Sequence, residues 1–471
     1  MNSRFVTAIY DHSPVVLQNV FCSIMGYKIQ RERYGSEFDR WAEFYAQSRS
    51  WSHSELAEYQ REQLQQLISE CFESVPYYAQ TWREAGLSPG DLKDVSDLQK
   101  WPCTTKEDIV SAGQQRISSK VDRRSLIHHL TGGSTGTPMS LYFTASELRR
   151  HYAIYWDRMR PGVRRGDRYA AFQGKEVVPA SQARPPYWRE NYVANQRLYS
   201  MRHLSPAKLQ AYAESLMAEP FVYYQGYTSF MAIVAEYMDE HRLTLPTPPK
   251  AVFCTSEQLS TVDRQLLERA WNTRVWDEYC QSEACAMIFE CEYGNRHVQM
   301  EYGIVEWEPI GREGDWLLAE MICTGFIPHA APFVRYRIGD RVVIDEGAAC
   351  PCGRLGPVIK AIRGRVKEYI LTPDGRKYPT VGMIVDLLRN VRRTQVVQER
   401  PEEIIVRVVK FPDYSQQDER HLMDCFKQGI GGGIGVKVEY VTELERLPNG
   451  KVMSIINRIP GHGRAYRATG D

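Results

Sequence analysis

The chain has no apolar run of the ~18 residues that a membrane-spanning helix requires, so no transmembrane segment is expected. It has almost no excess of charge. Its 59 Lys and Arg against 58 Asp and Glu leave a net +1 over 471 residues, so the basic surplus of a nucleic-acid-binding chain is missing. The start lacks the charged residues of a secretion signal. The most apolar part of that region, residues 15–27, is interrupted by Gln18 and Asn19. It reads as a buried or surface helix, with peripheral membrane contact as the alternative. Internal repeats and low-complexity tracts are also missing. Eleven cysteines without a secretion signal indicate a reducing, cytoplasmic setting. There, clustered cysteines hold metal more often than they form disulfides.

What is present is an ordinary globular balance, 43% hydrophobic and 25% charged, with length for one large domain and a smaller one. The N-terminal segment, residues 1–110, reads as helical. Ser52 and Glu55 form a capping box. Leu56, Tyr59, Leu64, Leu67, Ile68 and Cys71 then share a helical face until Pro76 ends the run. From Tyr169 the texture alternates. Residues 169–172, 221–224, 251–255 and 275–279 are β-rich, with helical stretches at 229–241 and 260–271 between them. This predicts an α/β domain with largely parallel sheets. The Pro-rich stretch 179–186 reads as a surface loop. Beyond Gly364, residues 367–371 and 376–378 flank Pro373-Asp374-Gly375 as a hairpin. A helix at 380–390, a strand at 403–410, a helix at 416–428 and a strand at 436–441 follow. The expected division is a large multi-sheet α/β N-terminal domain, 1–364, and a small α+β C-terminal domain, 365–471.

One loop stands out. Thr131-Gly132-Gly133-Ser134-Thr135-Gly136-Thr137-Pro138 carries three glycines and four hydroxyls between an apolar run at 126–130 and an alternating run at 139–143. Glycines allow tight bends and close approach, and N–H groups and hydroxyls hold phosphate oxygens. The motif lacks the Gly-Lys-Ser/Thr ending of the common phosphate loop. By itself it fits a phosphate cradle or a polar hairpin turn.

Four further stretches follow in order: Tyr279-Cys280-Gln281-Ser282-Glu283, Tyr336-Arg337-Ile338-Gly339-Asp340, Gly364-Arg365-Val366-Lys367 and Leu447-Pro448-Asn449-Gly450-Lys451. Taken with the loop, they resemble the adenylate-forming superfamily of acyl-coenzyme A synthetases, peptide-synthetase adenylation domains and luciferases. Gly26-Tyr27-Lys28-Ile29, Val75-Pro76-Tyr77-Tyr78, Gln225-Gly226-Tyr227 and Cys350-Pro351-Cys352-Gly353-Arg354 are similar to the phenylacetate-coenzyme A ligase branch. Within it they resemble capsular polysaccharide biosynthesis proteins of the CapK type. The likeness spans essentially the whole chain.

The resemblance implies an ATP-dependent ligase with a large adenylation domain and a small mobile C-terminal domain. A small-molecule carboxylic acid attacks the α-phosphate of ATP, giving acyl-AMP and pyrophosphate, and a second nucleophile then takes the acyl group. By the same resemblance Thr131, Gly133, Ser134, Thr135 and Gly136 hold the β- and γ-phosphates. Tyr279 lies on the adenine, with Ser256, Glu257, Asp277 and Glu278 nearby. Glu283 ligates magnesium, and Asp340 takes the ribose hydroxyls, with Arg365 also reaching the ribose. Lys451 bridges carboxylate and α-phosphate, Lys367 is the hinge, and Arg365 completes the catalytic set. Tyr223, Tyr224, Gly226, Tyr227, Ala284 and Ala286 are candidates for the acid's pocket. Two departures stand out: Met139 where many members carry lysine, and Cys280 where glycine is usual.

Cys291 and His297 are separated by five residues, Cys350 and Cys352 by one. Three thiolates and an imidazole suit a closed structural zinc site, and buried inert thiols are the alternative. The resemblance favours zinc. The acceptor is coenzyme A or an amine. A catalytically silent nucleotide-binding scaffold is the remaining reading, against which Lys451, Glu283 and Asp340 argue.

Overall fold

The computed structural model describes residues 3–131, 139–257, 259, 261–363, 369–378, 381–385, 387–431, 433–442, 444–445 and 455–459. The chain opens in helices: α1 (Ser3–His12), α2 (Val15–Arg33), α3 (Ser36–Ser48), α4 (His53–Ser74), α5 (Pro76–Glu84) and α6 (Lys106–Ala112). The capping box forms as expected. The Glu55 amide donates to Ser52 Oγ at 3.3 Å and the Ser52 amide to Glu55 Oε2 at 2.8 Å, satisfying two orphan donors. Leu64, Leu67, Ile68 and Cys71 on α4 are fully buried. They join Trp82, Trp101, Ile304, Phe326 and Val334 in one apolar cluster. The N-terminal helices are therefore built onto the main domain.

Next come β1 (Ile127–Leu130), β2 (Ser140–Phe143), α7 (Ala145–Met159), β3 (Tyr169–Phe172), β4 (Trp188–Asn191), β5 (Gln196–Tyr199), α8 (Pro206–Ala218), β6 (Tyr223–Tyr227), α9 (Thr228–Glu240), β7 (Ala251–Thr255), α10 (Thr261–Trp271) and β8 (Val275–Cys280). The antiparallel series β9 (Met287–Glu290), β10 (Arg296–Val298), β11 (Gly303–Glu313), β12 (Trp316–Gly325), β13 (Tyr336–Asp345) and β14 (Val358–Arg363) follows.

Twelve of these strands form one sheet, ordered β11-β12-β13-β14-β10-β9-β8-β7-β6-β3-β5-β4. The expectation of largely parallel sheets holds only for its middle. β5, β3, β6, β7 and β8 pair in parallel, each except β5 reached through a helical crossover. From β8 to β11 the pairing is antiparallel. Connections there are too short for the helices that parallel strands need. Helices α9 and α10 cover one face over Phe172, Tyr224 and Cys254, with Trp271 of α10 in the same cluster. Helices α3 and α7 cover the other over Phe253, Trp276 and Phe289.

The remaining elements are β15 (Ile370–Leu371), β16 (Lys377–Tyr378), α11 (Gly382–Val385), β17 (Val391–Arg400), β18 (Glu403–Lys410), α12 (Gln416–Ile430), β19 (Gly435–Tyr440) and β20 (Ile455–Asn457). A second sheet runs β19-β18-β17-β20. The helix expected at 380–390 is described only as the short α11, and β17 was not expected. Thr394, Gln395, Val396, Val397 and Gln398 in that strand are all buried, so it shows no alternation. Its glutamines are buried by binding backbone: Gln395 Nε2 donates to the Glu445 carbonyl at 2.9 Å, and Gln398 Oε1 accepts from the Leu371 amide at 2.7 Å.

Candidate active site

β1 and β2 pair antiparallel with Leu130 opposite Ser140, so the Gly/Ser/Thr loop joins two strands as expected. Thr131 closes the loop's base. Its amide donates to the Met139 carbonyl at 3.0 Å, and the Met139 amide donates to Thr131 Oγ1 at 3.0 Å. Gly133, Ser134, Thr135 and Gly136 lie outside the described residues, as do Arg365, Lys367 and Lys451. Arg116, 1% exposed, supports the hairpin from below. Its Nη2 donates to the Ser140 carbonyl at 2.9 Å, and its guanidinium lies 4.8 Å over the Phe333 ring. Burial weakens its hold on its proton, and nearby Glu283 opposes this. No motif announced Arg116; an isolated arginine carries no local signal.

The centre of the site is a hydrogen-bond chain across strands that are distant in sequence. Cys285 Sγ donates to Gln281 Oε1 at 2.9 Å, Gln281 Nε2 donates to Tyr279 Oη at 2.8 Å, and Tyr279 Oη donates to Asp340 Oδ2 at 2.8 Å. Tyr279 ends β8 and Asp340 lies within β13, so the sheet brings together two residues proposed for the nucleoside. Burial raises the Tyr279 phenol well above its ordinary pKa, with the Asp340 charge as the second cause. The phenol stays protonated and remains a donor. The turn carrying Glu283 is tightly seated: Ala284 adopts φ +55°, a conformation that L residues other than Asn and Asp rarely take. Beneath it, a Cβ on Gly303 would come 2.7 Å from the Cys285 carbonyl oxygen, and one on Gly325 would come 2.8 Å from Cys285 Cα. Only glycine at 303 and 325 lets this turn sit down, a signal that neither position shows locally. Ala286 is buried beside it. Ser256, at φ +66°, turns the chain after β7. Glu257 lies near enough to Tyr227 to add to the burial that raises its phenol.

Asp277 and Glu278 are held by arginines. Arg296 Nε donates to Asp277 Oδ2 at 2.7 Å, and Arg160 pairs with Glu278, both nearly inaccessible. Burial raises the Glu278 carboxyl and lowers Arg160 to about 10.

Strand alternation divides the candidates for the acid's pocket. Tyr224 points into the α9–α10 core, 4.8 Å from Trp271 and edge-on to it. Gly226 lets β6 approach β3, because a Cβ there would meet the Phe172 carbonyl oxygen at 2.1 Å. Tyr223 points the other way and stacks on Tyr169 at 4.6 Å. Gln225 on that same face donates to Tyr155 Oη at 3.0 Å, and Tyr155 Oη donates to Glu278 Oε2 at 3.3 Å. Tyr155, on α7, lay outside every motif.

A second constellation stands apart. Donor atoms of Cys291, His297, Cys350 and Cys352 all lie within 4.8 Å of one another. Cys291 and Cys350 sulfurs are 3.7 Å apart, and Cys352 Sγ is 3.4 Å from His297 Nε2. A tetrahedral zinc with Zn–S of about 2.3 Å and Zn–N of about 2.0 Å demands edges of about 3.8 and 3.5 Å. The donor set and its spacing fit that ion.

The CapK C-terminal domain model matches residues 371–458. Protein CapK of Staphylococcus aureus is 27% identical over 456 residues, covering 96% of this chain and 99% of the relative. Phenylacetate-coenzyme A ligase of Pseudomonas putida is 22% identical, covering 87% and 88%. Among solved structures, 2-hydroxyisobutyryl-CoA ligase, bound to 2-HIB-AMP and CoA in its thioesterification state, superposes with a TM-score of 0.57. It is 18% identical and covers 87% of this chain and 91% of the other. The large sheet with its separate C-terminal domain is the fold of the adenylate-forming ligases. Along most of its length the chain is similar in sequence to CapK and to the phenylacetate-coenzyme A ligases.

Proposed function

We propose that the protein activates a small-molecule carboxylic acid with ATP, forming an acyl-adenylate and pyrophosphate, and then transfers the acyl group to coenzyme A. The observation that carries this reading is the Tyr279–Asp340 hydrogen bond at 2.8 Å. It joins a ring suited to cover adenine and a carboxylate suited to accept two ribose hydroxyls. Tyr279 leads into the Glu283 turn, and Glu283 lies near Arg116, which bonds the strand that follows the Gly/Ser/Thr loop. In this reading Thr131, Gly133, Ser134, Thr135 and Gly136 hold phosphate oxygens, and Glu283 holds magnesium, which neutralises them. Lys451 and Arg365 face the charge that develops at the α-phosphate. The domains divide at residue 365, and Lys367 is the hinge. Cys291, His297, Cys350 and Cys352 hold one structural zinc.

ATP–pyrophosphate exchange across a panel of acids tests the reaction. The expected products are AMP and pyrophosphate; ADP with inorganic phosphate would overturn the reading. Supplying coenzyme A or amines to the loaded enzyme and weighing the product by mass spectrometry separates thioester from amide. An amide is the alternative outcome of that experiment. Elemental analysis is expected to find about one zinc per chain. Cys350→Ser with Cys352→Ser is expected to remove it and lower the melting temperature. A metal-free wild type with an unchanged double variant would dismiss the site.

A further inference from the structure

Helix α2 is built inside out. The side it turns toward the protein is polar: Gln18 and Asn19 are 2% and 9% exposed, and Gly26 is buried beside them. That side is locked in place. Arg189 Nε donates to Gln18 Oε1 at 2.5 Å, the Glu190 amide to Asn19 Oδ1 at 3.0 Å and the Tyr192 amide to Ser23 Oγ at 3.0 Å. A Cβ on Gly26 would come 2.2 Å from Asn191 Oδ1. The helix therefore lies hard against β4 and cannot rotate about its axis without breaking these contacts. Its apolar residues face water. Val16 is 72% exposed, Ile24 59% and Met25 56%, and Leu17, Val20 and Phe21 are exposed with them. Exposed Tyr192 and Val193, in the short turn Tyr192–Ala194 after β4, extend this surface on one side. Ile9 of α1 extends it on the other, where Tyr10 meets the Phe21 ring at 5.9 Å. Scattered apolar side chains on a surface are normal, but more than half of the large exposed ones among the described residues lie on this one surface. Such a patch marks an interaction site.

Breadth and charge select the occupant. At 100° per residue, the exposed apolar positions of α2 spread over about half of its circumference. A seam with a second copy uses a narrower stripe of two positions in seven, whereas a broad face suits a flat interface. Lys28 and Arg31 lie within the apolar arc, at its C-terminal end, and both are exposed. Arg31 makes no ion pair among the described residues, and its guanidinium is 6.0 Å from the Tyr27 ring centre. Glu32, the acidic residue nearest the arc, is taken by Lys28 at 3.9 Å, so a second copy would find no free carboxylate there for its own cations. Around the arc stand Asp11 and His12 at the end of α1, Arg33, which lies over Tyr152, and Lys175 and Glu176 in the loop after β3. Glu176 is paired with Arg202, and Arg149 with Glu37. The balance of these groups is positive. We infer that the outer face of α2 docks the protein on an anionic lipid surface. The apolar side chains enter the boundary between headgroups and acyl chains, and Lys28 and Arg31 meet lipid phosphates. Because its polar side stays bound to β4, the helix lies along the membrane and does not cross it. The inference is independent of the reaction proposed above.

Vesicle flotation of the full chain tests it, with vesicles of phosphatidylcholine alone and of equal parts phosphatidylcholine and phosphatidylglycerol. The wild type is expected to partition onto the anionic vesicles about fivefold or more better than onto the neutral ones. Leu17→Gln with Ile24→Gln is expected to lower the partition coefficient on anionic vesicles by about tenfold or more. Lys28→Gln with Arg31→Gln is expected to lower it by about tenfold and to leave the neutral vesicles unaffected. Melting temperatures show whether each variant folds; if one does not, the other and the wild-type lipid preference decide. No flotation, equal flotation on both lipids, or flotation unchanged in a folded variant overturns the inference. So does a wild-type dimer in sedimentation velocity that Leu17→Gln with Ile24→Gln converts to monomer, which would assign the face to a second copy.

Discussion

His203 shows how far burial and neighbouring cations can reset a side chain. It is 1% exposed, its Nδ1 lies 2.8 Å from Ser200 Oγ, and Lys208, Arg202 and Arg376 surround it. Burial first, then these cations, push its pKa down to about 3. The unfolded chain takes up this proton once pH falls below about 6.5, and the folded protein does not. Stability is therefore present above 6.5 and lost as pH falls toward 3, at about 1.4 kcal/mol per pH unit. Urea unfolding at pH 7 and pH 5 is expected to show the wild type losing about 2 kcal/mol more than His203→Gln over that interval. The same contrast between position and environment explains what was legible at this scale. Tyr279 and Asp340 were singled out through the resemblance alone, and the sheet joins them by a hydrogen bond. That Asp277 and Glu278 are held by Arg296 and Arg160 was not legible, because ion-pair partners 19 and 118 residues away leave no local trace.

At the level of strands, β6 and β3 owe their close approach to Gly226. Gly226→Ala is expected to cost about 2–4 kcal/mol, because its Cβ would overlap backbone and not a movable side chain. Gly90→Ala, whose nearest atom would be Ser88 Oγ at 3.8 Å, serves as the tolerated control. Denaturant midpoints of the two variants check this. The strands with a helical crossover were legible from their alternation with helices. Those from β9 to β14 were not read, since periodicity gives strands but not their direction or neighbours. In β17 the failure has a different cause: five consecutive buried residues, two of them glutamines, erase the period-two pattern.

On the scale of the whole molecule, the β15–β16 hairpin contacts the large domain through Arg376, whose guanidinium reaches the Arg202 carbonyl. Ile370, Tyr378 and Val381 share a cluster with Tyr187, Met201 and Leu204. If the small domain alternates between the two half-reactions of the proposed function, such contacts must be exchanged. Lys451→Ala is expected to slow adenylation by about 10²–10³-fold while nearly sparing acyl transfer. Lys367→Pro is expected to do the reverse, because proline fixes φ at the proposed hinge. Separate assays of the two half-reactions check both, and equal slowing of both steps by Lys451→Ala would reject domain alternation.

Thr104, just ahead of α6, donates through Oγ1 to the carbonyl of Val334 at 3.0 Å, 230 residues later in the chain. It also exchanges backbone hydrogen bonds with Arg335 and Arg337, each at 2.9 Å. A ribosome adding 5–20 residues per second needs roughly 10–50 s to make that length. Throughout that time the apolar face of α4, with Leu64, Leu67 and Ile68, waits for Ile304, Phe326 and Val334 to cover it. The first hundred residues thus emerge with an apolar face that depends on much later residues for its cover. Slowing translation between codons 110 and 340 would lengthen that dependence without altering any residue of the finished enzyme.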